Sequence, residues 1–169
     1  MSLGSLFSVR CSLFRNSYFR TVKNILLTGV GNALVDLEYR VTDAELEQFG
    51  VTKGAMTLTD TARQHEMILA LGDREAHHCS GGSAANTIIA FAQFGGSGAY
   101  SSLLGADRFG DFYASEFKDL GIVLAAEQVK GASTGSCLVL ITPDSERTLN
   151  TTLAVNTEFS RENISEELI

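Results

Sequence analysis

Two glycines followed by a small-residue helix start, Gly81-Gly82-Ser83-Ala84-Ala85-Asn86, form the segment of this 169-residue chain best suited to hold a ligand. Adjacent glycines permit positive φ and let a ligand approach the backbone closely. A helix running from Ala84, with Ser83 as its N-cap, would turn free N–H groups and a partial positive charge toward oxygens of that ligand. Asn86, in the first turn, adds a donor and an acceptor at the same place. The segment is equally compatible with a tightly packed loop–helix junction. A second candidate lies at the mouth of the first strand, where Asn32 and Asp36 follow Gly29-Val30-Gly31. A carboxylate accepts hydrogen bonds from two neighbouring hydroxyls, as on a sugar. The alternative is that Asp36, Glu38 and Arg40 are a solvated strand face.

Other suggestive patterns lead nowhere. Gly29-Val30-Gly31 lacks the third glycine of a dinucleotide fingerprint, Leu34 standing in its place, and an alternating strand follows where a helix would be needed. No GxxxxGK[ST] stretch is present. On an extended segment His77 and Cys79 share one face and His78 the other, so the three cannot chelate one ion. The three cysteines, Cys11, Cys79 and Cys137, are scattered without a CxxC, which fits a reduced cytoplasmic setting. A formal charge of -7 argues against a nucleic-acid partner, and no apolar run reaches the length that spans a bilayer.

The elements that must position the candidates follow from periodicity. Ile25–Val30 predicts a buried parallel strand, and Leu34–Val41 alternates strictly, with Asp36, Glu38 and Arg40 on the wet side. Helices are expected from Thr42-Asp43 to Phe49, from Thr59 or Asp60 to about Leu71, from Ala84 to Phe94 before Gly95-Gly96, and from Asp107 or Asp111 to Gly121. Strands are expected at Gly54–Thr59, Ser97–Leu104, Ser136–Ile141 and Glu146–Leu153, the last two joined by Thr142-Pro143-Asp144-Ser145 with proline at the second turn position. Strand and helix alternate, which predicts an α/β fold with a Rossmann-like parallel sheet and flanking helices, the alternating strands forming a second, smaller sheet.

The start of the chain has a different composition. Residues 1–35 contain no acid, while Arg10, Arg15, Arg20 and Lys23 sit among serines, phenylalanines and leucines. Residues 1–21 are read as a mis-assigned start, as an organellar transit peptide, or as an ordered arm. In any helix Arg10 would fall within the apolar stripe of Leu3, Leu6, Phe7, Leu13 and Phe14, which weakens the transit reading.

Taken together, the motifs resemble the ribokinase (PfkB) family of carbohydrate and nucleoside kinases. Its N-terminal signature reads here as Gly81, Gly82, Ala84, Asn86, Gly95 and Gly105, with Ile88 departing from the small residue of the pattern; that position is expected to pack on the helix. Gly105-Ala106-Asp107-Arg108-Phe109-Gly110 is similar to the family's GxDxxG turn. Thr134 to Cys137 and Asp144 to Asn150 are similar to its lid hairpin, closest to the adenosine-kinase-like branch. The resemblance covers roughly residues 22–169 and implies a ribokinase-like fold whose small β-sheet lid uses strands near 33–41, 74–80 and 134–153.

It further implies phosphoryl transfer from ATP, with Mg2+, to the hydroxymethyl group of a nucleoside (adenosine or inosine/guanosine) or a sugar. Asp36 and Asn32 would hold sugar hydroxyls, Gly81, Gly82 and Ser83 would line the pocket, Asn86 would bond another hydroxyl, and Leu149 would wall it. Arg147 would stand by the transferring phosphoryl group. The lid would exclude water and could pair two subunits as a homodimer. The family's Gly-Ala-Gly-Asp stretch, with its anion hole and catalytic base, does not occur in these residues. The chain is therefore expected to be the N-terminal half of such a kinase and inactive alone. The alternatives are a non-catalytic sugar- or nucleoside-binding or lid-dimerising half-domain, and a degenerate product.

Overall fold

The computed structural model describes residues 24–168; the expected leader at 1–21 lies outside them. The apolar run after Asn24 forms β1 (Leu27–Val30), which pairs in parallel with β5 (Gly98–Gly105). β5 in turn pairs in parallel with β6 (Val123–Val129), giving a three-stranded sheet of order β1-β5-β6. Every residue of β5 is buried, as a central parallel strand covered on both faces must be.

The alternating segment becomes β2 (Leu34–Arg40), an inner strand of a second sheet completed by β3 (Met56–Leu58), β4 (His77–Gly81), β7 (Gly135–Ile141) and β8 (Arg147–Thr152). Its order is β3-β8-β7-β2-β4; β2–β7 and β3–β8 are parallel, whereas β2–β4 and β7–β8 are antiparallel. This sheet was expected to be the smaller of the two, yet it has five strands against three.

β2 sorts its residues by face as its alternation requires. Val35, Leu37 and Tyr39 are buried on the side covered by α1 (Asp43–Gln48) and α2 (Thr61–Ala70), which contribute Leu46 and Met67 to the core. Burial of such aliphatic and aromatic side chains contributes about 1.5–3 kcal/mol each. Gln64 on α2 is also buried there; its Nε2 donates to the carbonyls of Ser136 and Asn150, and its Oε1 accepts from Ser136 Oγ, so no polar atom of that amide is stranded. Thr42 caps α1 in a reciprocal capping box with Glu45, and Asp60 caps α2.

The three-stranded sheet carries α3 (Ser83–Gln93) and α4 (Arg108–Asp119). Residues 113 and 117 of α4, one helical turn apart, bury Tyr113 and Phe117 in a ring stack 4.5 Å between centroids, with Tyr100 of β5 against Phe117 at 5.5 Å. Asp107 caps α4 by accepting from Gly110 N at 2.9 Å. The same carboxylate accepts from Thr134 N and Oγ1, which fastens the entry of β7, in the other sheet, to the end of β5. The flanking glycines explain the GxDxxG spacing. A Cβ at Gly105 would come within 2.5 Å of Ala132 O and Thr134 N, and one at Gly110 would overlap the Gly105 carbonyl.

Three differences from the sequence reading stand out. β6 has no counterpart among the expected strands: Val123-Leu124-Ala125-Ala126 is a short apolar run without alternation, as compatible with a helix as with a strand, and pairing with β5 makes it a strand. The N-cap of α3 is Gly82, not Ser83: Ser83 is the first helical residue and no side chain caps the helix. The end of the described chain, where the sequence Glu166-Glu167-Leu168 reads as a helix start, forms short 3-10 turns instead (Ala154–Glu158, Arg161–Asn163 and Glu166–Leu168).

Candidate functional site

Register places Asp36, Leu149 and Arg147 on one face of the five-stranded sheet, while Asn32, Gly81, Gly82, Ser83 and Asn86 lie at the crossing between the two sheets, beyond the Leu34 end of β2. On the face of the five-stranded sheet turned away from α1 and α2, cross-strand partners form two rows. One row runs Cys79, Asp36, Cys137, Thr151, Leu58, and the next runs His77, Glu38, Val139, Leu149, Met56. Asp36 thus sits between two thiols, with Gly81 at the end of β4 beside it. A Cβ on Gly81 would lie 2.5 Å from Asp36 Oδ1 and 2.8 Å from its Cγ. Gly82, at φ +105, is likewise packed so that a Cβ would overlap the carbonyl oxygen of Asn32. The tight-junction alternative for the Gly-Gly pair is therefore correct as far as packing goes, and what the glycines pack against are the two candidate ligand residues, Asp36 and Asn32.

Burial pushes the Asp36 carboxyl up, against a downward pull from Arg147 and with a smaller upward push from Glu38. No hydrogen bond reaches that carboxylate among the described residues, so its acceptor lone pairs are open. Arg147 opens β8 on the same face, and its guanidinium donates to Glu38 Oε1 at 2.8 Å. Glu38 also stands 3.3 Å from His77 Nδ1. Leu149 is half-buried next to Arg147 on that face, as the strand period requires. Asn86 is exposed in the first turn of α3, its N–H donating to Gly82 O at 2.8 Å. Ser83 and Asn32 are exposed at the same junction. Because Gly82 supplies no side chain, the N–H groups at the start of α3 carry no side-chain cap.

Beneath the junction, Tyr113 Oη donates to the carbonyl of Gly81 at 3.3 Å. Ile88, the departure from the signature pattern, is buried against Gly29 and Gly98 and faces no ligand space. Gly29 and Gly31, which suggested a dinucleotide loop, let α3 approach β1: Cβ atoms there would meet Ile88 and Ala84. His77 and His78 point to opposite sides, His77 toward Glu38 and His78 onto the rings of Phe109 and Phe112.

Sequence reasoning missed Glu38 as the partner of Arg147, Tyr113 beneath Gly81, and Asn156. The two carboxylates at 36 and 38 were both visible in the alternation, but nothing in the sequence says which of them the arginine 109 residues away selects. Tyr113 reads simply as one position of an apolar helix stripe.

A mixed five-stranded sheet joined to a parallel three-stranded sheet, with a Gly-Gly turn between β4 and α3, defines an α/β protein of the ribokinase-like class. The comparisons agree: residues 49–168 match the pfkB family carbohydrate kinase model, and the chain belongs to that family. It is similar to an adenosine kinase of Schizophyllum commune, 28% identical over 144 residues that make up 83% of this chain and 41% of the relative. Among solved structures it is similar to the adenosine kinase of Sinorhizobium meliloti and to a probable sugar kinase of Rhizobium etli, each with 31% identity and a TM-score of 0.77, covering 84% of this chain and 43% of theirs. The chain thus spans about two fifths of the length of these relatives.

Kinases of this family use ATP and Mg2+. Among the described residues no three His, Cys, Asp or Glu side chains converge on a point that could hold a metal ion, so Mg2+ finds no carboxylate cluster there. No described helix is long and apolar enough to cross a membrane.

Proposed function

We propose that residues 22–169 are the acceptor-binding part of an ATP-dependent kinase acting on the hydroxymethyl group of a nucleoside, of the adenosine-kinase-like kind, or of a simple sugar. The observation that carries this reading is the Asp36 carboxylate, half-buried against Gly81 with its acceptor positions open. Such a group accepts from two vicinal hydroxyls and so orients a ribose. Asn32 and Asn86 flank the same junction, and Gly81, Gly82 and Ser83 form its floor. Leu149 supplies an apolar wall. Arg147, held over the sheet face by Glu38, is poised to offset charge on a phosphoryl group delivered from ATP. Mg2+-ATP supplies that phosphoryl group when bound. The base that would take the proton from the attacking hydroxyl belongs to a Gly-Ala-Gly-Asp stretch that these 169 residues do not contain, so phosphoryl transfer by this polypeptide alone is not expected.

A second reading, a lid-pairing half-domain that binds without catalysis, is favoured by Met56 and Leu58, 62% and 60% exposed on the edge strand β3. Calorimetric titration of the 169-residue chain with adenosine, inosine and ribose tests the first reading. Binding is expected, strongest for a nucleoside, and lost in Asp36→Ala. Absence of binding by all three, or binding indifferent to Asp36→Ala, would refute it. ATP-dependent phosphorylation by the pure chain would refute the expected inactivity.

A further inference from the structure

The chain leaves the parallel sheet at Val30 and enters the five-stranded sheet at Leu34, and Ala33 in that crossing is fully buried between the two strands. Buried backbone groups need partners. They find them in Asn156, itself 5% exposed and 123 residues away. Its Nδ2 donates to Ala33 O at 2.9 Å and its Oδ1 accepts from Ala33 N at 3.2 Å, so the carboxamide stands in for a paired strand. The reverse orientation would set an NH2 against the Ala33 N–H.

Ser102 Oγ completes the arrangement: it accepts from Ala33 N at 2.9 Å and lies 3.1 Å from Asn156 Oδ1, to which it donates. The second Nδ2 hydrogen goes to Leu153 O at 3.1 Å. Gly135 opens β7 at this point, and a Cβ there would approach Asn156 Nδ2 to 2.7 Å. The turn carrying Asn156 is entered through Ala154 at φ +46, a left-handed backbone that costs a non-glycine residue energy and persists where the surroundings impose it. It is tied down by Val155 N donating to Ser133 O.

We infer that Asn156 is a positioning residue: by clamping Ala33 it fixes Asn32 against Gly82 and sets the spacing between the Asn32 turn, Asp36 and the Gly81-Gly82 junction. That Asn32 and Asp36 receive a ligand belongs to the function proposed above, on which the ligand half of this assignment rests; the position of the turn does not depend on it. The fold makes the link physical. The Asn32 carbonyl is packed where a Gly82 Cβ would be, so a displaced turn cannot leave the mouth unchanged.

The test compares Asn156→Ala, Ser102→Ala and the parent 169-residue chain by NMR. In Asn156→Ala, amide exchange at Ala33 is expected to rise about 30-fold beyond any change at Leu104 and Val139, the amides of the two sheet interiors, because both hydrogen bonds from Asn156 to Ala33 are lost and only Ser102 Oγ still holds the Ala33 N–H. The Asn32 and Gly82 amide resonances are expected to move, and affinity for adenosine or ribose to fall about tenfold. Ser102→Ala is expected to act more weakly, since Asn156 Oδ1 still accepts from Ala33 N. Exchange at Ala33 that rises only in step with Leu104 and Val139 would overturn the assignment. So would unmoved Asn32 and Gly82 resonances, or a binding constant within twofold of the parent. If the parent binds neither ligand, the proposed function fails while the exchange and resonance results still decide the role of Asn156. Asn156→Ser, which keeps one hydroxyl, takes the place of Asn156→Ala if the latter does not fold.

Discussion

Replacing Gly81 by alanine tests whether that glycine exists to seat Asp36. The backbone at Gly81 is not left-handed, so the substitution carries no φ penalty. Removing the flexibility of a strand glycine should by itself stabilise the fold by about 0.5–1 kcal/mol. Against this, the added Cβ would meet the whole carboxyl group of Asp36, with Oδ1 at 2.5 Å, Cγ at 2.8 Å and Oδ2 at 3.0 Å. Spinning the carboxyl about its own axis relieves none of these contacts; the side chain must swing away toward Cys137. Overpacking of this kind costs about 1–3 kcal/mol, so Gly81→Ala is expected to destabilise by about 1 kcal/mol net. In an Asp36→Ala background the obstruction is gone, and the same substitution is expected to stabilise by about 0.5 kcal/mol. Urea unfolding of the four proteins, parent, two singles and the double, closes the cycle, with an expected coupling of about 1.5 kcal/mol. Effects that add to within about 0.5 kcal/mol would refute the packing argument.

Further outcomes follow from the same geometry. Because burial raises the Asp36 pKa, the folded chain takes up its proton at higher pH than the unfolded chain does. This group's contribution to stability is therefore full below the ordinary carboxylate range and is lost as pH rises through the raised pKa, whereas ligand binding, which needs the carboxylate, weakens as pH falls through it. Asp36→Asn should abolish both trends, as read by melting temperature and titration across the acid range; a parent binding constant that stays flat with pH would contradict it. Asp107 behaves in the opposite sense. Burial raises its pKa, but the hydrogen bonds from Thr134 and Gly110 outweigh that and hold it low. Its stabilisation is present above the ordinary carboxylate range and lost as pH falls through the lowered value. Asp107→Ala removes a helix cap together with the tie to Thr134 and is expected to cost about 2–3 kcal/mol in urea unfolding, against less than about 0.5 kcal/mol if the tie is idle. Burial, with the charge of Asp36 alongside, pushes the thiols of Cys79 and Cys137 up to about 11. Site-resolved mass spectrometry should find both slow toward iodoacetamide near neutral pH and accelerating well past the range of a free cysteine; a rate that levels off at about pH 8.5 would contradict this.

Much of the fold was written in local pattern. The strict alternation of β2 fixes which face carries Asp36 and Glu38, since a one-residue slip would bring Val35, Leu37 and Tyr39 into water. Glycines at 81, 82, 105 and 110 mark close approaches, and the Asp107 cap with the 113/117 stripe defines α4. Tertiary structure decided the rest. Val123–Val129 becomes β6 because β5 offers it a ladder, not because its own sequence insists on a strand. Gly82 caps α3 because the backbone at φ +105 must clear the Asn32 carbonyl, a constraint no local preference for serine at an N-cap can report. Arg147 turns to Glu38, 109 residues away, and Asn156 clamps Ala33, 123 residues away. Periodicity tells which way a side chain faces within its own element. Which partner meets it is set only when two sheets from distant parts of the chain are brought together, where buried backbone groups must be satisfied by whatever the fold places beside them.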